Sequence, residues 1–258
     1  MNLYHGDCLD FLRECEPYEA IFADPPDNIG LNYSGFKDNN PLYYEWLELL
    51  VRLALEKCKV FWLSYYWEHD LEVKRRAYWL KAHWAKKTFI WRYTFGQHNE
   101  RDCGSGFRYI LRFARPDWKP SVEGIRVESE RQRLGDSRAN PLGRIPDDVW
   151  DFNLELDEYG DIVLPGYALD APNIWDEFPR VVGNSTERRS WHPTQHPEGL
   201  MERIMRMSGG PFLDCFVGSG TSFRVGRRLG MDVTGCELSD DYVKHLKKEH
   251  SLLDLRKL

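Results

Sequence analysis

An apolar run that breaks into a glycine-rich turn and then a helix start sets the tightest limit on this fold: Phe212-Leu213-Asp214-Cys215-Phe216-Val217-Gly218-Ser219-Gly220-Thr221. Leu213 to Phe216 reads as the end of a parallel strand. Gly218 and Gly220 let the backbone approach a ligand closely, and a helix from Thr221 offers its N-terminus to it. A second strand over Val233 to Cys236 leads to Glu237, near the spacing of an acid that grips ribose hydroxyls. Such a strand, loop, helix, strand unit belongs to an α/β fold with a parallel sheet. The loop reads Gly-Ser-Gly-Thr-Ser-Phe, one glycine short of the dinucleotide pattern, and Asp214 stands beside it. A carboxylate there suits a ligand with a cationic end, such as an amino acid or a sulfonium, better than a pyrophosphate. The plainer alternative is an ordinary tight strand-to-helix turn. An NAD-dependent oxidoreductase is disfavoured by the missing glycine and the lack of an obvious hydride-transfer acid.

The same alternation runs through the first half. Strands are expected over 2–6, 20–23, 59–64, 88–93 and 106–113, and helices over 8–12, 42–58 and 67–85. In the second helix, Trp46, Leu49, Leu50, Leu53 and Ala54 fall at helical spacing. Residues 27–41 read as loop. The end of the chain adds a helix over 197–208 with Pro197 in first position, a strand over 212–216, and helices over 221–229 and 240–252. Between about Arg115 and Arg180, periodicity fades into Pro, Gly, Asp and Arg, the texture of an insertion. A near-repeat within it, Pro146 to Phe152 and Pro172 to Phe178, suggests two turns that each lead into a strand carrying a Trp.

At 258 residues, 42% hydrophobic and 14% aromatic, the chain can build one packed domain with a large insertion. A net charge of −6 argues against a generic polyanion binder, yet basic residues cluster. Lys74, Arg75, Arg76, Lys81, Lys86, Lys87 and Arg92 lie together; Arg126, Arg131, Arg133, Arg138 and Arg144 form a second group. Such faces bind phosphates by counterion release, or are simply solvated helix surfaces. The six cysteines show no CxxC pair, which suggests reduced thiols in an intracellular protein rather than zinc or disulfides. No stretch has the apolar length of a membrane span, and the first residues lack an apolar signal region.

The second informative motif, Ala23-Asp24-Pro25-Pro26-Asp27-Asn28, follows the apolar run Ala20-Ile21-Phe22. Exocyclic amino groups of bases are poor nucleophiles, because the lone pair is delocalised into the ring. Accepting both N–H bonds with fixed oxygens turns that lone pair toward an electrophile. Asp24 can supply a carboxylate and Pro25 a carbonyl. Two prolines fix the backbone and bring no competing N–H. That is positioning with electrostatic preorganisation.

With these motifs in this order, the chain resembles the β-class of S-adenosylmethionine-dependent DNA amino-methyltransferases of bacteria and phages. There an Asp/Ser-Pro-Pro-aromatic motif comes first, a target-recognition region follows, and a Phe-x-Gly-x-Gly motif comes last. Trp191-His192-Pro193-Thr194-Gln195-His196-Pro197 is similar to the family's His-Pro-Thr-Gln-Lys-Pro segment, and Tyr4-His5-Gly6-Asp7-Cys8 to its leading Gly-Asp motif. The resemblance implies a Rossmann-like methyltransferase sheet with circularly permuted motifs. A catalytic half (1–94), a target-recognition insertion (95–185) and a cofactor half (186–258) are expected. It implies a catalytic platform of Asp24, Pro25, Pro26 and Asp27. It places S-adenosylmethionine against Asp7, Asp24, Thr194, Gln195, Asp214, Phe216, Gly218, Ser219, Gly220, Thr221 and Glu237. The arginines at 126, 131, 133, 138 and 144 become candidates for phosphate or guanine contacts.

The implied reaction is direct in-line methylation of adenine N6 in flipped-out duplex DNA, without a metal or a covalent intermediate. Cytosine-N4 methylation is the alternative, and an inactive cofactor- or DNA-binding module the lesser one. A homodimer, a cognate restriction enzyme and the cytoplasm of a bacterial or phage-infected cell belong to the same expectation. Two departures stand out. Asp27 occupies the position of the aromatic that stacks on the flipped base, leaving Tyr33, Phe36 and Trp67 as candidates for that contact. His196 replaces the lysine, a departure of small expected consequence, and His69, His83 and His98 are expected to be surface or structural.

Overall fold

The computed structural model describes residues 1–34, 36–92, 106–145, 155–156, 162–163, 174–175, 181, 185–250 and 254–256. The chain opens with β1 (Asn2–His5), α1 (Cys8–Glu14) and β2 (Tyr18–Ala23). A small hairpin of β3 (Asn32–Tyr33) and β4 (Phe36–Lys37) falls within the expected loop. It leads to α2 (Tyr43–Glu56), β5 (Cys58–Tyr66), α3 (Asp70–Arg76), β6 (Ala85–Arg92) and β7 (Phe107–Ala114). Next come α4 (Glu130–Arg133) and three two-residue strands, β8 (Glu155–Leu156), β9 (Ile162–Val163) and β10 (Ile174–Trp175). The chain continues with α5 (Glu198–Ser208), β11 (Phe212–Asp214), α6 (Thr221–Leu229), β12 (Val233–Glu237), α7 (Asp240–Glu249) and β13 (Asp254–Arg256).

Among the described residues one nine-stranded sheet runs β10-β6-β7-β5-β2-β11-β12-β1-β13. Every neighbouring pair is parallel except those of β7, which runs against both β5 and β6. Central strands are apolar on both faces because both are covered. Along β5, Phe61 and Leu63 join a core with Leu12, Leu47 and Leu50, while Val60 and Trp62 join one with Leu200, Ile204 and Val225. So α1, α2 and α3 cover one face, and α5, α6 and α7 the other. Trp62 Nε1 donates to Ser208 Oγ (2.8 Å) and ties the sheet to α5.

β2 and β11 are neighbours, yet their chains leave in opposite directions. From β2 the chain crosses one face through α2 to β5; from β11 it crosses the other through α6 to β12. The crevice above their C-terminal ends is a topological switch point, where open α/β sheets bind ligands.

Two expectations change, and one expected strand takes its place in the sheet. The helix expected over 67–85 is a 3-10 turn at Trp67–His69 and then α3, which ends at Arg76. Past it, tight turns (Leu80 N–H to Ala77 O; Trp84 N–H to Lys81 O) and a left-handed Lys81 (φ +47°) replace helix. Pro197 is the residue before α5, not its first turn. Phe107–Ala114, inside the stretch assigned to the insertion, is a full strand of the central sheet, because Ile110, Leu111 and Phe113 are buried against its neighbours. Of the near-repeat, Ile174–Trp175 pairs with Ile90–Trp91, and Trp150 lies outside the described residues.

Candidate active site

Above the switch point lies a cavity of about 1420 Å³. The platform enters it directly after β2 and the glycine loop directly after β11; Phe22 and Asp214 are paired across the two strands. Asp7, Asp24, Pro25, Pro26, Asp27, Thr194, Gln195, Asp214, Phe216, Gly218, Ser219, Thr221 and Glu237 all line it. Gly220 lies just behind the wall, where a Cβ would come within 2.7 Å of Leu246. The five candidate arginines of the insertion do not line it. Arg126 donates to Gly143 O (2.9 Å), Arg138 to Asp136 (2.8 Å), and Arg133 lies 3.6 Å from Glu128.

The cradle is built mostly from backbone. Gly218 and Gly220 have φ of +49° and +79°, the left-handed region that glycine enters without strain. A Cβ at Gly218 would stand 2.7 Å from His192 Nε2, so the His-Pro-Thr-Gln segment closes over the loop. His192 Nδ1 hydrogen-bonds the Thr194 carbonyl, and burial pulls the ring down to about 4, which leaves it neutral. Glu237 accepts from the amides of Gly218 (3.0 Å) and Ser239 (2.8 Å). It thereby joins the glycine loop to the start of α7. Asp214 accepts from Phe216 N–H (3.0 Å). Burial pushes both carboxylates up to about 6. Asp7 caps α1 by accepting from Leu9 N–H (2.8 Å).

Gln195 borders the cavity, but its amide is spent on the chain itself. Its oxygen accepts from Arg189 N–H (2.9 Å) and its nitrogen donates to Glu187 O (2.7 Å). Its visible role is to shape the 187–195 turn.

The platform is assembled from four distant segments. Arg108 comes from β7, whose antiparallel course brings its first residues to the edge where β2 and β5 end. Its guanidinium donates to both oxygens of Asp27 (2.5 and 2.9 Å), to Asp24 Oδ1 (2.9 Å) and to Ser64 Oγ (3.2 Å). His196 Nδ1 stands 3.3 Å from Asp24 Oδ2, and its Nε2 lies 3.5 Å from Ser64 Oγ. The Asp27 carbonyl accepts from His69 Nε2 (2.6 Å), while His69 Nδ1 meets the Tyr44 hydroxyl (3.0 Å). The expected minor departure, His196, therefore touches the central carboxylate. Arg108 is not among the sequence candidates; its strand carries two arginines, Arg108 and Arg112, and no local pattern tells which of them reaches the platform.

The profile of the DNA methylase family that unites N6- and N4-directed enzymes matches residues 18–248, most of the chain and both halves of the site. The chain belongs to this N6/N4 DNA methylase family. It is 30% identical to the DNA adenine methyltransferase YhdJ of Escherichia coli, over 94% of this chain and 80% of that protein. Two solved structures share its fold. The M1.HpyAVI complex with S-adenosylmethionine gives a TM-score of 0.56 at 15% identity, over 96% of this chain and 98% of that one. The cytosine-N4-specific PvuII DNA methyltransferase gives 0.59 at 16% identity, over 93% and 83%. The sheet is thus the Rossmann-like methyltransferase sheet, and the cofactor of this methylase is S-adenosylmethionine.

The residues fit that cofactor. Two buried carboxylates held at about 6 favour a ligand carrying positive charge, as a sulfonium and an α-amino group do. Phe216, edge-on to Trp46 at 6.0 Å between ring centres, gives the same wall an aromatic surface for a flat heterocycle. Of the stacking candidates, Tyr33 and Phe36 line the cavity; Trp67 is not on its wall, which carries Tyr66 and Trp91 instead. Among the described residues no group of three or more His, Cys, Asp or Glu side chains could hold a metal ion, and no helix is long and apolar enough to cross a membrane.

Proposed function

We propose that this methylase transfers a methyl group to N6 of adenine in DNA, with the target base swung out of the duplex. The observation that carries this reading is an aspartate at the first platform position, opening into the same cavity as the cradle. In the resembling family an aspartate there favours adenine and a serine cytosine. The likeness to an adenine methyltransferase along nearly the whole chain supports the same reading.

S-adenosylmethionine would supply an electrophilic methyl on a sulfonium and leave as the neutral thioether S-adenosylhomocysteine, while the amino group gives up one proton. The remaining work belongs to the chain. Asp24 and the Pro25 carbonyl accept the two N–H bonds of the amino group and turn its lone pair outward. Pro25 and Pro26 leave no amide to compete for those oxygens. The cavity exceeds the roughly 300–1,000 Å³ of an ordinary small-molecule site, in keeping with a cofactor and a flipped base held together. Extruding the base costs a few kcal/mol, which contacts with duplex DNA repay. We assign those contacts to the segment after β7. There Arg133 and Arg138 must exchange Glu128 and Asp136 for phosphates or base edges.

Cytosine-N4 methylation is the second reading, because the N4-specific PvuII enzyme shares the fold. Incubating unmethylated plasmid with protein and cofactor, digesting it to nucleosides and weighing the products separates the two. N6-methyl-2′-deoxyadenosine is expected. Methylated cytosine without methyladenine overturns the adenine assignment, and no methylated base at all points to an inactive module.

A further inference from the structure

We propose that Arg108, Ser64 and His196 form with Asp24 a closed polar ring, anchored by Asp27, that fixes the direction of the Asp24 carboxylate. The inference rests on the proposed amino-methylation for its catalytic consequence, but the ring itself can be observed without any reaction.

The donors and acceptors determine one proton arrangement. Arginine has only donors, so Ser64 Oγ accepts from Arg108 Nε, 3.2 Å away. An ionised Asp24 only accepts, so the proton between it and His196 sits on Nδ1, 3.3 Å from Oδ2. Burial favours the neutral imidazole, which leaves His196 Nε2 bare. The Ser64 hydroxyl, fully buried and 3.5 Å away, has one proton and turns it to that nitrogen. The ring closes through three hydrogen bonds and the 3.3 Å contact of His196 Nδ1 with Asp24 Oδ2. Phe22 meets the His196 ring edge-on (5.8 Å) and Trp91 packs beside it (5.1 Å), so the imidazole is held in place.

This arrangement gives Asp27 a purpose. A buried guanidinium beside a single carboxylate forms a two-bond fork with it and uses up both oxygens. Here Asp27 takes the fork and Asp24 receives a single bond from Nη2. Each Asp24 oxygen then has one fixed partner and keeps a lone pair for the amino group. His69 pins the Asp27 carbonyl, so the anchor does not move with its side chain. Arg108, Ser64 and His196 are positioning residues: they act on the substrate through Asp24.

The test combines nitrogen NMR of His196 with kinetics of single and double variants. In the wild-type protein at pH 7 the His196 imidazole is expected to be neutral and protonated on Nδ1. In Ser64→Ala the Nδ1 preference should weaken. A wild-type Nε2-protonated or doubly protonated ring overturns the proposal. Arg108→Met and Asp27→Asn are each expected to lower kcat by roughly 100-fold, the scale of an ångström-level misplacement. Cofactor Kd and the KM for DNA should stay within about threefold. The double variant should be no slower than the worse single one, because the two residues act as a unit, and Arg108→Lys should recover part of the rate. Unchanged kcat, or losses that multiply in the double variant, refute the positioning role. If the wild-type protein methylates no DNA, the proposed function fails. The His196 protonation state and the coupling of Arg108 and Asp27 in thermal unfolding then still decide the ring.

Discussion

The cradle and the platform face each other across one cavity, but they keep their shape by opposite means. The glycine loop at the heart of the cradle is one short stretch of sequence. Two left-handed glycines set its curve, and Glu237 ties its amide to the next strand's end. The platform needs Asp24 and Asp27 after β2, Ser64 on β5, Arg108 on β7 and His196 ahead of α5. A site made of backbone is hard to move and tolerates few side chains. A site made of side chains from four segments depends on each neighbour keeping its bond. In this methylase the comparison predicts that cradle damage removes binding, whereas platform damage removes transfer.

The largest expected effect is at the cradle. Gly220→Val forces a β-branched residue to φ +79° with its Cβ 2.7 Å from Leu246. Strain on the order of 3 kcal/mol follows, so cofactor affinity should fall by about 100-fold in calorimetry. Wild-type affinity in this variant would show that the loop's curve is not what holds the cofactor.

A smaller and reversible effect comes from pH. Burial raises Asp214 and Glu237 to about 6, so the folded apo-protein holds their protons more tightly than the unfolded chain does. Lowering the pH from about 6 to 4 should therefore add stability from these two groups. Cofactor binding should respond in the opposite sense, because the cationic ligand prefers the ionised carboxylates. Protonating Asp214 is expected to lower affinity by up to about tenfold between pH 6 and pH 5. A binding curve flat from pH 7.5 to 5 would separate these acids from the cofactor.

The smallest effect concerns the one cradle residue that also holds a helix. Asp7→Ala removes the cap of α1 and should destabilise the protein by about 1 kcal/mol, read as a Tm lower by roughly 2–4 °C. An unchanged Tm would limit Asp7 to the cavity wall.

The same contrast governs what the sequence made legible. Contiguous features could be read directly. The strand into Asp24, the glycine loop, Glu237 at the end of β12 and the helix after Thr221 are each signalled by residues within one short window. Features set by pairing register could not. Arg108 reaches Asp24 only because β7 runs antiparallel between β5 and β6, which no local pattern encodes. Asp27 was visible as a departure from the family pattern, but its partner was not. His196 looked like an exchange of one basic residue for another until the fold set it against Asp24. The segment 67–85 mimics one helix because the buried Val73, Ala77 and Trp84 fall at helical spacing, while α3 ends at Arg76 and Lys81 turns left-handed.

The separation of binding from transfer is the centre of this account, and Asp24→Ala tests it most directly. Calorimetry with S-adenosylmethionine and methyl transfer to unmodified DNA are measured on the same preparation. Cofactor affinity within about threefold of wild type, with transfer abolished, is the predicted result. Retained turnover, or loss of cofactor binding together with transfer, would contradict it.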